Sequence, residues 1–526
     1  MTGYFALVLH AHLPFVRHPD DPTVMEERWL YEAIVETYLP LVQMFEGFAH
    51  DGVRARATVS LSAPLISMLT DDLLKVRAAE HIDRLIELGE REIERTAPEP
   101  HYQRLAVMYR DRFLSLRHTW RCHEGDLVAA FRRLRDAGVV EVITSTATHA
   151  FFPLLDQNWP VMRAQVQVAA DLYARHFGGP PPGMWLGECG FVPGVDELLR
   201  EAGIRYFFLD THGILYAEPP PVYGVHAPIY CPSGVAAFGR DVETSRQVWS
   251  AKEGYPGDPH YRDFYRDIGF DLPLDYIGPY IHPEGHRLYT GFKYHAITHG
   301  QLHDKWVYDP EIARGKAGLH ASHFRGKRQE QVRAIAARMD RPPILVSPYD
   351  AELYGHWWFE GIQFLDDFFR QLHYDQDEIE PLTPGDYLAR HPTNQAATPC
   401  ASSWGHRGYN EYWLCEANAW IYRHLHAAGE RMVELARRYP QAEGLERRAL
   451  NQAARELLLA QSSDWPFIMR TGTTVAYAER RFNGHILRFT RLYEGLTGGR
   501  IDPEWLAKVE AEDNLFPDLD YRVYAA

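Results

Sequence analysis

Cysteine is scarce in this 526-residue chain. Cys122, Cys189, Cys231, Cys400 and Cys415 are odd in number and widely spaced, and no two form a CxxC pair. That excludes a disulfide framework and a cysteine zinc ribbon, and fits reduced thiols in a cytoplasmic protein. Long apolar runs are missing as well. No window approaches the ~20 apolar residues of a membrane span, so no membrane partner is expected. The first apolar stretch, residues 4–9, lacks a basic flank and stops at His10, which reads as a strand and not as a signal peptide. Positive charge is in deficit: 55 Lys and Arg against 71 Asp and Glu leave a net charge of −16. A phosphate backbone would be repelled, which argues against a nucleic-acid partner. The one basic run, Arg325, Lys327 and Arg328, sits among helix formers and reads as a solvated helix face. Neither an internal repeat nor a low-complexity tract interrupts the chain.

Aromatic residues, by contrast, are plentiful: 13 Trp, 30 Tyr and 25 Phe. Flat apolar faces with polar edges suit sugar rings, and they equally suit a large core, so composition alone leaves both readings open.

The organisation along the chain is more specific. Short apolar runs at 4–9, 57–61, 139–143, 184–186, 206–209 and 344–346 each end abruptly in polar or small residues. Runs this short, apolar on both faces, are expected to be buried parallel strands. Helical patterns lie between them, for example at 26–48, 156–177, 193–202 and 327–339. Strand alternating with helix implies βαβ units, in either a β/α barrel or a doubly wound sheet. Residues from about 75 to 135 are charged and helical, and read as an insertion. Residues from about 214 to 265, with Pro219-Pro220-Pro221 and Gly254-Tyr255-Pro256-Gly257, read as a long active-site loop segment. From about residue 401 onward only helical spacing is legible, which sets a catalytic part at 1–400 and a C-terminal helical domain at 401–526.

The residues able to carry chemistry fall just after the strand runs. Glycosidic cleavage usually employs two carboxyl groups, and Glu188 and Asp350 each close an apolar run. Either could instead cap a helix, and Glu352 competes with Asp350 on spacing. His10 and His12 flank one residue on a strand and so share a face. With His149, Asp210 and His212 they could form a zinc site of the amidohydrolase kind, or could hydrogen-bond to a substrate. Trp404 and Trp413, in a segment rich in glycine and aromatics, could stack on sugar rings. A core role is the default for Trp413. Asp464, beside Trp465, is an isolated acid at a helix end.

Five blocks in order complete the reading: His10-Ala11-His12-Leu13-Pro14; residues 144–155; Trp185-Leu186-Gly187-Glu188-Cys189-Gly190; Tyr349 to Trp357, which contains Asp350; and residues 402–413. Together they resemble glycoside hydrolase family 57, and within it the 1,4-alpha-glucan branching enzymes. The resemblance spans nearly the whole chain. It implies an incomplete (β/α)7 barrel with a helical insertion and a C-terminal all-helical domain. It also implies a retaining double displacement on an alpha-1,4-glucan that serves as donor and acceptor, with no cofactor and no metal, in glycogen-type metabolism. Carried over by position, Glu188 matches the nucleophile and Asp350 the general acid/base. His10, His12 and Asp464 match groups that hold the sugar at the cleavage point, and Trp404, Trp413 and Phe270 match glucan-contacting aromatics. Branching members of the family present a tyrosine on a loop over the site. The corresponding segment here, about 230–249, has an interior (234–241) without tyrosine, which leaves Tyr230 as the candidate. An alpha-amylase or a 4-alpha-glucanotransferase on the same scaffold is the alternative.

Overall fold

The computed structural model describes residues 2–250, 254–298 and 304–525. Residues 251–253 of the expected loop segment therefore lie outside the described residues. Among the described residues nine strands form one sheet: β1 (Gly3–Ala11), β2 (Ala57–Leu61), β3 (Val140–Ser145), β4 (Gly183–Trp185), β5 (Tyr206–Leu209), β6 (Ile229–Tyr230), β7 (Ala236–Gly239), β8 (Ile344–Asp350) and β9 (Ile379–Pro381). Their order is β6-β7-β5-β4-β3-β2-β1-β8, with β9 also pairing with β1. The path β7-β5-β4-β3-β2-β1-β8 is parallel throughout, β9 joins β1 in parallel, and β6 pairs with β7 antiparallel. No ladder joins β7 to β8 among the described residues. Only the Asp241 N–H, just past β7, reaches the Val346 carbonyl, at 2.9 Å. The architecture is an incomplete (β/α)7 barrel.

The alternation of side chains explains why these strands look apolar on both faces. Along β1, Phe5, Leu7 and Leu9 pack outward in the main core with the surrounding helices. Tyr4, Ala6 and Val8 point inward, where they meet Ile143, Trp185, Tyr206, Phe208, Ala236, Phe238, Ile344 and Val346. Both faces are covered, as parallel strands in a barrel require. The same period of two sends His10 of β1, His12 just past its end, and Asp350 of β8 to the inner face at the C-terminal mouth.

Helices Asp72–Arg95, Pro100–Cys122 and Leu127–Asp136 fill the connection between β2 and β3. After residue 410 no strand occurs among the described residues. Five helices follow: Tyr422–Arg438, Gly444–Ala460, Asp464–Thr471, Val475–Gly498 and Pro503–Glu512. Their apolar faces belong to the same continuous core as the barrel helices. The stretch expected to be an irregular loop, 214–265, is more ordered than its composition suggests. It contains β6, the barrel strand β7 and the helix Val242–Trp249. Four residues, Ala-Ala-Phe-Gly, complete a strand here because Tyr206 to Leu209 of β5 supply its hydrogen-bonding edge. So short a run between glycines carries little sequence signal.

Candidate active site

The turn after β4 is built around close backbone approach. A side chain on Gly187 would place its Cβ 2.5 Å from the Ala150 carbonyl oxygen and 2.7 Å from that of His149. Only glycine lets β4 end against the turn that follows β3. The chain then bends sharply, with Glu188 at φ 57° and Cys189 at φ 51°. Left-handed non-glycine residues cost on the order of 1–3 kcal/mol each and concentrate at functional sites. The bend turns the Glu188 carboxylate into the barrel mouth. There Trp404 Nε1–H donates to Oε2 at 2.8 Å and the Ser463 hydroxyl donates to Oε1 at 3.0 Å. The Trp404 N–H also binds the Glu188 carbonyl oxygen at 3.0 Å, so the 402–404 segment holds the residue twice.

Asp350 ends β8, in register beside His10 of β1. Glu188 and Asp350 line one cleft of about 370 Å³ together with His10, His12, His149, Glu352, Trp404 and Asp464. Trp29, Trp357 and Phe467 stand on its walls. That size suits an oligosaccharide segment.

Three imidazoles form a stack on the floor of the cleft. Ring centroids are 4.0 Å apart for His12 and His149 and 4.9 Å for His10 and His149, and Trp185 lies against His10 at 4.7 Å. Ser60 of β2 and Ser62 just past it orient His10 of β1 and His12 just past that strand: Ser60 Oγ is 3.0 Å from His10 Nδ1, and Ser62 Oγ is 2.9 Å from His12 Nδ1. His12 Nε2 meets the Asp464 carboxylate at 3.0 Å. Burial opposes charge on His12, but Asp464 outweighs it and raises its proton affinity. The same pairing overrides the effect of burial on Asp464 and brings it down to about 2. Burial, reinforced by the neighbouring imidazoles, holds His10 and His149 well below the ordinary histidine value. His10 and His149 are therefore neutral at neutral pH, and His12 is the ring of the three that takes up a proton most readily. His149 Nδ1 lies 3.8 Å from Glu188. With that ring neutral and Ser463 bonded to both, this is a hydroxyl-bridged contact and not an ion pair.

The two candidate carboxyls differ in their surroundings. Burial is the largest influence on Asp350, the charges of Glu352 and Glu188 add to it, and its value is pushed up to about 8. Among the described residues no hydrogen-bond donor reaches its carboxyl group. Burial also raises Glu188, but the donors Trp404 and Ser463 stabilise its ionised form. The pair thus holds one carboxyl without a donor, raised to about 8, and one whose oxygens are held by two donors, the contrast that a division into acid and nucleophile uses. Glu352 accepts from the Tyr38 hydroxyl and from the His12 N–H.

The structure thus brings together Glu188, Asp350, Glu352, His10, His12, His149, Trp404 and Asp464 of the residues singled out in the sequence. It separates the others. Trp413 is only 2% exposed and stacks on Phe151 at a centroid distance of 4.4 Å. It is a core residue and has no face free for a glucan. Phe270 is 45% exposed and packs on Tyr289 at 5.0 Å, outside the ring of cleft-lining residues. Tyr230 pairs with Ala236 at the beginning of β7, and its hydroxyl donates to the Pro392 carbonyl at 3.1 Å. That is the N-terminal end of the barrel, opposite the mouth, so Tyr230 is not a loop aromatic over the site. Tyr230→Ala is expected to leave the ratio of new α-1,6 linkages to new reducing ends on amylose unchanged. A shift toward hydrolysis in that ratio would contradict the placement.

The zinc alternative loses its donor set. His10 Nε2 and His12 Nε2 are engaged with His149 and Asp464, and neither His212 nor Asp210 lines the cleft. Asp210 caps the helix Thr211–Leu215 and lies 3.7 Å from Arg240. Among the described residues the clusters spaced for a metal are His282-Glu284-His286 and Glu456-His485-Asp513, both away from this cleft.

Trp29, Phe467, Ser60 and Ser463 were not legible as site residues. Trp29 and Phe467 sit within helical patterns where aromatics ordinarily mark core, and serines at strand or helix ends carry no signature.

A (β/α) barrel with two carboxyls in one aromatic-walled mouth, one held by two hydrogen-bond donors and the other with none, defines an enzyme acting on glycosidic bonds. The family model described as glycosyl hydrolase family 57 matches residues 6–399, and that of the 1,4-alpha-glucan branching enzyme C-terminal region matches residues 424–524. The chain belongs to glycoside hydrolase family 57. It is 33% identical to the 1,4-alpha-glucan branching enzyme of Thermococcus kodakarensis, over 98% of this chain and 78% of that one. The structure is similar to that of the alpha-amylase AmyC from Thermotoga maritima (TM-score 0.94, 44% identity, covering 100% of this chain and 99% of the other). It is also similar to that of the branching enzyme of this family from Pyrococcus horikoshii (TM-score 0.90, 31% identity, covering 100% and 97%).

Proposed function

We propose that this enzyme is a retaining 1,4-alpha-glucan branching enzyme, with residues 1–400 as the catalytic part and 401–526 as a helical domain that completes the site. The observation that carries the chemistry is the pair Glu188 and Asp350, one hydrogen-bonded as a carboxylate and the other raised to about 8, in a single cleft. The match of the C-terminal helices to the branching-enzyme model supports the choice of reaction.

In the first step Glu188 attacks the anomeric carbon of the donor glucan. Asp350 gives its proton to the departing 4-oxygen, and a covalent glycosyl ester forms. The transition state carries positive charge on the sugar, which the ionised Glu188 and Asp464 stabilise. Asp350, now a carboxylate, then takes the proton of an acceptor 6-hydroxyl while that oxygen displaces Glu188, leaving an α-1,6 branch. Asp464 and His12 hold sugar hydroxyls at the cleavage point, His10 supports that floor, and the exposed face of Trp404 stacks on the glucan. No metal is used. The setting is glycogen biosynthesis in the cytoplasm. No helix of the described residues is long and apolar enough to cross a membrane.

Hydrolysis is the second reading, favoured by the 44% identity to a protein described as an alpha-amylase. The two reactions differ only in the acceptor that meets the intermediate, and a barrier difference of ~1.4 kcal/mol changes their ratio tenfold. Amylose incubated with the enzyme is expected to gain α-1,6 signals in its proton NMR spectrum, and new chain ends after treatment with a debranching enzyme. New reducing ends without α-1,6 signals would make the enzyme an amylase. Longer linear chains without branches would make it a 4-alpha-glucanotransferase.

A further inference from the structure

Glu188 is the end of a continuous chain of buried hydrogen bonds that begins on another strand. Ser60 Oγ lies 3.0 Å from His10 Nδ1, His10 Nε2 lies 2.9 Å from His149 Nε2, His149 Nδ1 lies 2.8 Å from Ser463 Oγ, and Ser463 Oγ lies 3.0 Å from Glu188 Oε1. All four intermediate residues are buried, at 5% exposure or less. Ser60 stands opposite His10 in the β1–β2 register. Ser463 is held by its N–H bonding to the His149 carbonyl at 3.2 Å, and the neighbouring Ala150 and Ser462 form an isolated bridge.

The protons on this chain can be arranged in only two ways. Both rings are neutral, so each carries one proton, and the nitrogen-to-nitrogen contact takes one proton between two rings. An ionised Glu188 can only accept. Ser463 must then donate to it and must itself accept from His149 Nδ1–H. His149 Nε2 is left as an acceptor for His10 Nε2–H, and His10 Nδ1 accepts from the Ser60 hydroxyl. The reverse order would set a Ser463 lone pair against the carboxylate. Every donor therefore points the same way, toward Glu188, and hydrogen bonds in such a series strengthen one another in a low-dielectric interior.

We propose that Ser60, His10, His149 and Ser463 form a one-directional hydrogen-bond relay that orients Glu188 and stabilises its negative charge, with Ser60 and Ser463 as positioning residues for the reaction. The inference rests on the reading of Glu188 as the reacting carboxylate. Burial, with the neighbouring imidazoles adding to it, keeps His10 and His149 neutral, and the pairing of His12 with Asp464 leaves the relay's own bonds undisturbed. The helical domain thus contributes a direct donor to the carboxylate as well as a wall of the cleft.

The test has two arms. In 15N-histidine-labelled enzyme at neutral pH, with signals assigned through their loss in His10→Gln and His149→Gln, His149 is expected as the Nδ1–H tautomer and His10 as the Nε2–H tautomer. The opposite tautomers, or a cationic ring at either position, would overturn the relay whatever reaction the enzyme catalyses. In the kinetic arm, Ser463→Ala removes one hydrogen bond to a charged group and is expected to lower kcat on amylose roughly ten- to a hundredfold, with KM changed far less. Ser463→Thr, which restores the hydroxyl, is expected to recover most of the loss, and Ser60→Ala to show a smaller loss in the same direction. Equal kcat in Ser463→Ala and the unaltered enzyme would contradict the positioning role. An inactive Glu188→Gln with wild-type tautomers would leave the reaction assignment standing on its own.

Discussion

Replacing Glu188 by Gln is expected to lower turnover on amylose by roughly three orders of magnitude or more, because on the proposed mechanism it removes the group that forms the covalent intermediate. The substitution is nearly isosteric. The Gln carbonyl oxygen can still accept from Trp404 or Ser463, and the left-handed turn at 188–189 is kept, so the fold should hold. Initial rates on amylose, read alongside an unchanged thermal unfolding midpoint, check it. Activity within tenfold of the unaltered enzyme would remove Glu188 from the reaction. Loss of activity together with loss of folding would show that its part is structural.

Asp350→Ala should differ in kind. A general acid contributes roughly 10²–10⁴-fold, and contributes least when the leaving group needs no proton. The variant should therefore lose that factor on amylose but far less on an aryl glycoside with an acidic leaving group, and azide should speed its second step. The pH dependence has a definite sign. Asp350 must be protonated to donate, and its value is pushed up to about 8 by burial and by the charges of Glu352 and Glu188. Activity should hold below that pH and fall as pH rises through it, since the carboxyl then loses its proton. Glu352→Gln removes one of the two charges that raise Asp350, so the basic limb should move to lower pH. Kinetics in which Glu352→Ala, and not Asp350→Ala, shows the leaving-group dependence and azide rescue would exchange the two roles.

How far the sequence discloses this site depends on the kind of signal each residue carries. His10, His12 and Asp350 are legible because a period-two strand continues into them and sends them inward with Tyr4, Ala6, Val8, Ile344 and Val346. Glu188 is legible from its place after a strand run, yet its unusual backbone and the need for Gly187 are three-dimensional facts, set by contact with the His149–Ala150 turn. Strand β7 escapes because four small or aromatic residues between glycines match no period. Strand β9, which ends in Pro381, escapes because proline argues against a strand. Tyr230 and Trp413 show the opposite error. Aromatic identity in the right segment says nothing of which end of the barrel the ring occupies, or of whether Phe151 already covers its face. Ser60 and Ser463 bear on the carboxylate only through contacts 50 and 275 or more residues apart, which no local pattern records.

The most direct measurement is to trap the glycosyl–enzyme intermediate and locate it. In Asp350→Ala given an activated glucosyl donor, formation of the ester outpaces its breakdown, so the adduct should accumulate. Digestion and mass spectrometry are expected to find a glucosyl unit esterified to the peptide carrying Glu188. An adduct on Glu352, Asp464 or Asp210, or turnover with no covalent adduct at all, would contradict the mechanism.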